Sequence, residues 1–147
     1  MWHRFKNLCF SLNTYKTLSP DLGVRQQVNQ VLGDRPMLGA DQWFETFYQS
    51  QNIAPAVAGF AYRYLGTYSG LEMGRVQPTD RLHPDLRWTE VCWFDWETQF
   101  CEDVQQQFRV DISDCLDDWQ AFTIGELVAF LDQVTRGVPE PFHFAES

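Results

Sequence analysis

The side chains here that could do chemistry are carboxylates, thiols and three histidines, and their spacing limits what they can be asked to do. Paired carboxylates carry general acid–base work when one of them sits in a pocket that displaces its pKa. By position, the candidates are Asp85 with Glu90 and Asp95 with Glu102. Acidic residues spread along a helix face are ordinarily solvated, so these pairs predict surface charge rather than proton transfer. His83 precedes Cys92 in the same stretch. A cysteine nucleophile needs an exposed thiol with a lowered pKa, whereas Cys92 and Cys101 sit among apolar residues that predict burial. Cys9, Cys92, Cys101 and Cys115 form no C-x-x-C pair, and His3, His83 and His143 are scattered, which is not how zinc ligands are spaced. Asp111-x-Ser113-x-Cys115-x-Asp117 has the outline of a calcium loop, but lacks the glycine at its sixth place and has Phe122 where the closing acid belongs. There is no glycine-rich phosphate loop and no local Ser/His/Asp signature. These patterns predict a protein with no catalytic residues, no metal and no cofactor.

The charge balance narrows the partners. A net charge of −9 works against non-specific nucleic-acid binding, which depends on Lys and Arg displacing phosphate counterions. It works equally against an anionic membrane surface. It favours a protein partner with a basic face. With 147 residues and 16% aromatics, the chain has room for one domain with extensions and for a sizeable core. In the opening MWHRFKNLCFSLNTYK the apolar run is only Leu8 to Phe10, too short for a signal-peptide core or a membrane span. The expected location is therefore cytoplasmic, with reduced structural thiols.

Helices must position whatever these residues do. Ser19-Pro20-Asp21 reads as a helix start, and Val24, Val28, Val31 and Leu32 predict a short amphipathic helix from Leu22 to Leu32 that Gly33 ends. Asp41 is an expected N-cap for a helix carrying Trp43, Phe44, Phe47 and Tyr48. Ile53 to Tyr68 predicts a longer helix with Pro55 in its first turn, closed by Ser69-Gly70. Leu71, Met73, Val76 and Leu82 should anchor the connection that follows. A helix is then expected from Thr89 to Gln107, with the stripe Trp93, Trp96, Phe100, Val104 and Phe108 on one face. A short turn is expected over Cys115 to Trp119. Thr123-x-x-Glu126 is a capping box opening a last helix through Ile124, Leu127, Val128, Leu131 and Val134 to Gly137. Trp88, Trp93 and Trp96 cannot all share one buried face, so one of them is expected either under the N-terminal helices or exposed beside carboxylates as an interface anchor.

The order of three motifs resembles the acyl-carrier-protein family. R-V-Q-P-T-D-R-L-H-P-D-L (Arg75 to Leu86) is similar to the loop before the second carrier helix. E-D-V-Q-Q-Q-F-R-V-D-I (Glu102 to Ile112) is similar to the end of that helix, and F-T-I-G-E-L-V-A-F-L (Phe122 to Leu131) to the start of the last one. The resemblance covers Ile53 to Thr135. It implies an all-α, four-helix carrier-like bundle over residues 41–137, preceded by an arm and short helix over 1–40 and followed by a tail over 138–147. A working carrier bears phosphopantetheine on the serine of an Asp-Ser-Leu motif. Here the equivalent place falls near Trp93-Phe94-Asp95, and no serine lies between Gly70 and Ser113. Thr89 is the one hydroxyl near the expected helix start. The chain thus reads as a carrier-like domain without the prosthetic arm. It is expected to be a non-enzymatic module that meets a basic protein partner through Asp85, Glu90, Trp93, Asp95 and Glu97. The alternatives are an atypical carrier or small apolar-ligand-binding helical protein, and an acidic inhibitor or immunity-type protein.

Overall fold

A computed structural model describes residues 20–114 and 121–136 of the chain. The expected arm, the turn over Cys115 to Trp119 and the tail lie outside the described residues. Every regular element among the described residues is helical, and one isolated bridge pairs Arg81 with Thr123. The fold is a small all-α bundle.

Helix α1 (Leu22–Leu32) begins where Asp21 accepts the Val24 N–H at 3.1 Å, and it buries Val24, Val28 and Leu32. Helix α2 (Ala40–Phe47) starts two residues earlier than an Asp41 cap would place it. The N-cap is Gly39, whose N–H donates to the Gln42 side chain at 3.4 Å. Asp41 lies instead inside the first turn, where a carboxylate favours the helix dipole. Trp43 of α2 is fully buried and its indole N–H donates to the Val76 carbonyl at 2.9 Å. That bond fastens the long connection to the core.

Helix α3 (Pro55–Phe60) runs without a break through a π-helical turn (Ala61–Leu65) into α4 (Gly66–Ser69). Pro55 stands at the start, where its missing N–H leaves nothing unpaired. The N–H of Ala54 is taken by the buried carboxylate of Asp132 at 3.0 Å. Gly70, at φ 72°, ends α4 in the left-handed conformation that glycine adopts without strain. The predicted anchors Leu71, Met73, Val76 and Leu82 are all buried. Arg35 clamps the same connection from the far end of α1. Its guanidinium donates to Asp80 at 2.7 and 3.0 Å and to the Arg75 carbonyl at 2.9 Å, while the Gln77 N–H takes another Asp80 lone pair at 2.7 Å.

The single helix expected from Thr89 to Gln107 is two: α5 (Trp88–Val91) and α6 (Trp96–Phe108). The cause is long-range. At the end of α5 the Glu90 carbonyl accepts the Asp21 N–H at 2.9 Å and the Val91 carbonyl accepts Arg25 Nε at 2.8 Å. Groups from the start of α1 thereby satisfy carbonyls that another helical turn would have used. Helix α7 (Ile124–Arg136) opens on the predicted capping box, with Glu126 N–H on Thr123 Oγ1 at 3.1 Å and Thr123 N–H on Glu126 at 3.3 Å. Residues from α1 through α7 meet in one core around Trp43, Trp88, Phe100, Leu65 and Ile112.

Candidate functional site

The interruption between α5 and α6 creates the most distinctive surface. Trp88 and Trp96 flank it and are buried, meeting edge to face with ring centroids 5.9 Å apart. Trp93, in the interruption itself, is 51% exposed. The stripe that would have put Trp93 on the buried face of a continuous helix is therefore cut at its first member.

Opposite Trp93, the π turn and α4 present Tyr64, Thr67 and Tyr68. With Asp95, Trp96, Gln99 and Asp103 they enclose an open cleft of ≈ 480 Å³. A π turn places one more residue inside each hydrogen-bonded loop than an α turn and so shifts which side chains share a face beyond it, a feature frequent at functional sites. The rings form a connected wall, with Tyr64 and Tyr68 at 6.4 Å and Tyr68 and Trp96 at 6.3 Å between centroids. Tyr68 donates its hydroxyl proton to Asp103 Oδ2 at 2.6 Å, and Gln99 Nε2 donates to Asp103 Oδ1 at 3.2 Å. Burial, reinforced by the Asp103 carboxylate, pushes the Tyr68 phenol above the ordinary tyrosine range. Tyr68 is thus a fixed donor, and Asp103 a fixed acceptor.

The five expected partner-binding residues are distributed unevenly. Trp93 and Asp95 both line the cleft. Asp85 accepts Arg81 Nε at 3.1 Å and the Arg81 backbone N–H at 2.9 Å; Glu90 accepts Arg87 Nε at 2.7 Å. Those guanidiniums hold both carboxyls below their ordinary values. Asp85 and Glu90 are therefore locally neutralised and stand apart from the cleft lining. Glu97 is half-buried in the first turn of α6 and does not line the cleft either. Sequence reasoning missed Tyr64, Thr67, Tyr68, Gln99 and Asp103. Tyr64 and Tyr68 fit the apolar periodicity of their helix, and only the π turn that holds Tyr64 and the carboxylate that faces Tyr68 set them apart from core residues.

The other candidate chemistry is quickly placed. Cys92 is buried, and burial pushes its thiol up, away from the thiolate a nucleophile needs. Asp111 accepts the backbone N–H and hydroxyl of Ser113 at 3.0 and 2.7 Å, a local turn, and the rest of that loop from Cys115 lies outside the described residues. Among the described residues no three His, Cys, Asp or Glu side chains gather closely enough to hold a metal ion. No helix among them is long and apolar enough to cross a membrane. A second cleft of ≈ 360 Å³ lies where the end of α2 meets the start of α7, between Phe47, Tyr48, Pro78 and Glu126. Comparison of the chain with protein-family models, with curated proteins and with solved structures gives no match.

Proposed function

We propose that this chain is a non-enzymatic protein-interaction domain that receives the basic face of a partner protein in the Trp93 cleft. The observation that carries the proposal is the exposure of Trp93 in a helix interruption, beside Asp95 and across from a wall of tyrosines. Tryptophan is over-represented among the residues that dominate binding energy, and carboxylates around such an anchor steer a basic partner toward it. The net charge of −9 adds long-range attraction of the same sign.

The likeness to acyl carriers belongs to the same proposal. In a carrier the second helix opens on the serine that bears the prosthetic arm, and its acidic face meets the enzymes it serves. Here α6 opens just after Trp93-Phe94-Asp95. An aromatic anchor then occupies the place of the modified serine, and docking persists without carriage. In this reading the protein works in the cytoplasm, needs no phosphopantetheine, metal or other cofactor, and binds neither nucleic acid nor membrane.

Two experiments test it. Intact mass after co-expression with a phosphopantetheinyl transferase should be unchanged; a gain of mass on Thr89 would restore acyl carriage as the function. Affinity capture from a lysate of the source cells, compared between the natural chain and Trp93→Ala, should yield a protein that the variant fails to retain. A captured protein retained equally by both would place the docking surface elsewhere.

A further inference from the structure

We infer that the cleft takes the guanidinium of a single arginine side chain presented by the partner. This inference rests on the docking reading above and specifies what the docked surface must contain.

The first support is a contrast in how carboxylates are used. The acids at positions 72, 80, 85, 90 and 132 each face an arginine of this chain. Among the described residues the two acids of the cleft face none. Asp103 receives there only the neutral donors Tyr68 and Gln99. Asp95 stands at the N-cap of α6, yet its side chain makes no capping bond; only its backbone carbonyl is engaged, by the N–H groups of Thr98 and Gln99. Among the described residues the cleft therefore holds two carboxylates and no cation of its own.

The second support is the wall. Trp93, 51% exposed, offers an open π surface beside the buried Trp96 and Tyr68, and a cation over such a face is attracted by the ring quadrupole. The chain already pairs a guanidinium with one ring of this wall, since Arg63 lies 5.5 Å from the Tyr64 ring centroid. Two carboxylates set around aromatic rings suit arginine better than lysine. The planar guanidinium stacks on rings, is weakly hydrated and presents a fork of donors to carboxylate oxygens, whereas an ammonium is a strongly hydrated point charge. A cleft of ≈ 480 Å³ also leaves space for the planar group beside a ring.

The test is a titration of the full chain with three capped amino acids, the N-acetyl methylamides of arginine, lysine and citrulline. The readouts are the Trp93 indole N–H resonance, assigned by its loss in Trp93→Phe, and tryptophan fluorescence. Citrulline keeps the shape of arginine and removes its charge. The arginine compound should move the Trp93 indole resonance, with citrulline weaker by about tenfold and lysine by about threefold. Asp95→Asn and Asp103→Asn, both isosteric, should each weaken the arginine compound while leaving thermal stability close to that of the natural chain. Equal binding of arginine and citrulline, lysine binding as tightly as arginine, or arginine binding that survives both substitutions together would each overturn the inference. If arginine leaves the indole unmoved but Trp93→Ala still releases the captured partner, the arginine assignment falls and the docking reading stands. If Trp93→Ala retains the partner, it is the docking reading that fails.

Discussion

Replacing Arg35 by Ala should cost this fold far more than replacing any of its exposed arginines. Arg35 makes two hydrogen bonds to Asp80 and one to the Arg75 carbonyl, and the Asp80 side chain is 8% exposed. Without Arg35, Asp80 would keep only the Gln77 N–H as a described partner. Removing one member of a fully buried ion pair costs about 3–5 kcal/mol, because the other charge stays buried and uncompensated. The Arg35 side chain is 30% exposed, so water can reach part of the vacated space. A loss of about 2–3 kcal/mol follows, still well above that of a surface pair. For a chain of this size that corresponds to a fall in Tm of roughly 4–12 °C. Urea denaturation followed by far-UV circular dichroism measures it, with Arg81→Ala as the exposed control, since Arg81 pairs with Asp85 at the surface. Arg35→Met keeps most of the aliphatic stem and separates packing from charge. Removing Asp80 as well should recover part of the loss, because no orphaned carboxylate remains. If Arg35→Ala and Arg81→Ala lose the same stability, or if Arg35→Met restores it, the clamp is not electrostatic and the reasoning is wrong.

Three further outcomes follow from local geometry. A Cβ on Gly74 would lie 2.2 Å from the Leu38 carbonyl oxygen, while one on Gly59 meets nothing within 4 Å. Calorimetry should therefore show Gly74→Ala lowering Tm and Gly59→Ala, inside α3, raising stability by about 0.5–1 kcal/mol; the opposite order would contradict the packing described. Thr123→Ala removes the acceptor for the Glu126 N–H and should cost about 1 kcal/mol in urea denaturation; no loss would mean that the capping box does not hold α7. The carboxyls of Asp85, Glu90 and Asp111 are depressed in the folded chain, by Arg81, Arg87 and Ser113 respectively. Their contribution is present above the unfolded carboxylate pKa and is lost as pH falls through the folded values, so the urea midpoint should drop below about pH 4. The phenols of Tyr48 and Tyr68 are raised, chiefly by burial. The neutral form is the folded one, so stability should also fall as pH rises above about 10, and a midpoint rising at either limb would refute these assignments.

Much of the scaffold was legible because it is set by local chemistry. The Asp21 cap and the Val24–Val28–Leu32 stripe define α1 within its own residues. Thr123 and Glu126 define the start of α7 in the same way, and Gly70 the end of α4. The site was legible only in part because its geometry is non-local. No proline or glycine lies between Thr89 and Phe108 to mark the interruption; it depends on Asp21 and Arg25 reaching the α5 carbonyls from the start of α1. Helical periodicity ran across that interruption and assigned Trp93 to the buried stripe. The π turn is likewise silent in Ala61 to Leu65, whose apolar pattern suits an α-helix equally well. The exposed tryptophan beside carboxylates was within reach of the sequence, whereas the facing tyrosines, which close the cleft, were not. The choice among carboxylates was within reach of the sequence too, since Asp85 and Glu90 each have an arginine four and three residues before them, at Arg81 and Arg87, and Asp95 has none.

The most direct measurement is the dissociation constant of the captured partner for three forms of the full chain: natural, Trp93→Ala and Glu90→Gln. Docking through the cleft predicts that Trp93→Ala weakens binding by about 30-fold or more, the scale of an interface hot spot. It predicts that Glu90→Gln, whose carboxylate is already paired with Arg87, changes affinity by less than about twofold. An unchanged constant for Trp93→Ala, or a larger loss for Glu90→Gln than for Trp93→Ala, would contradict it.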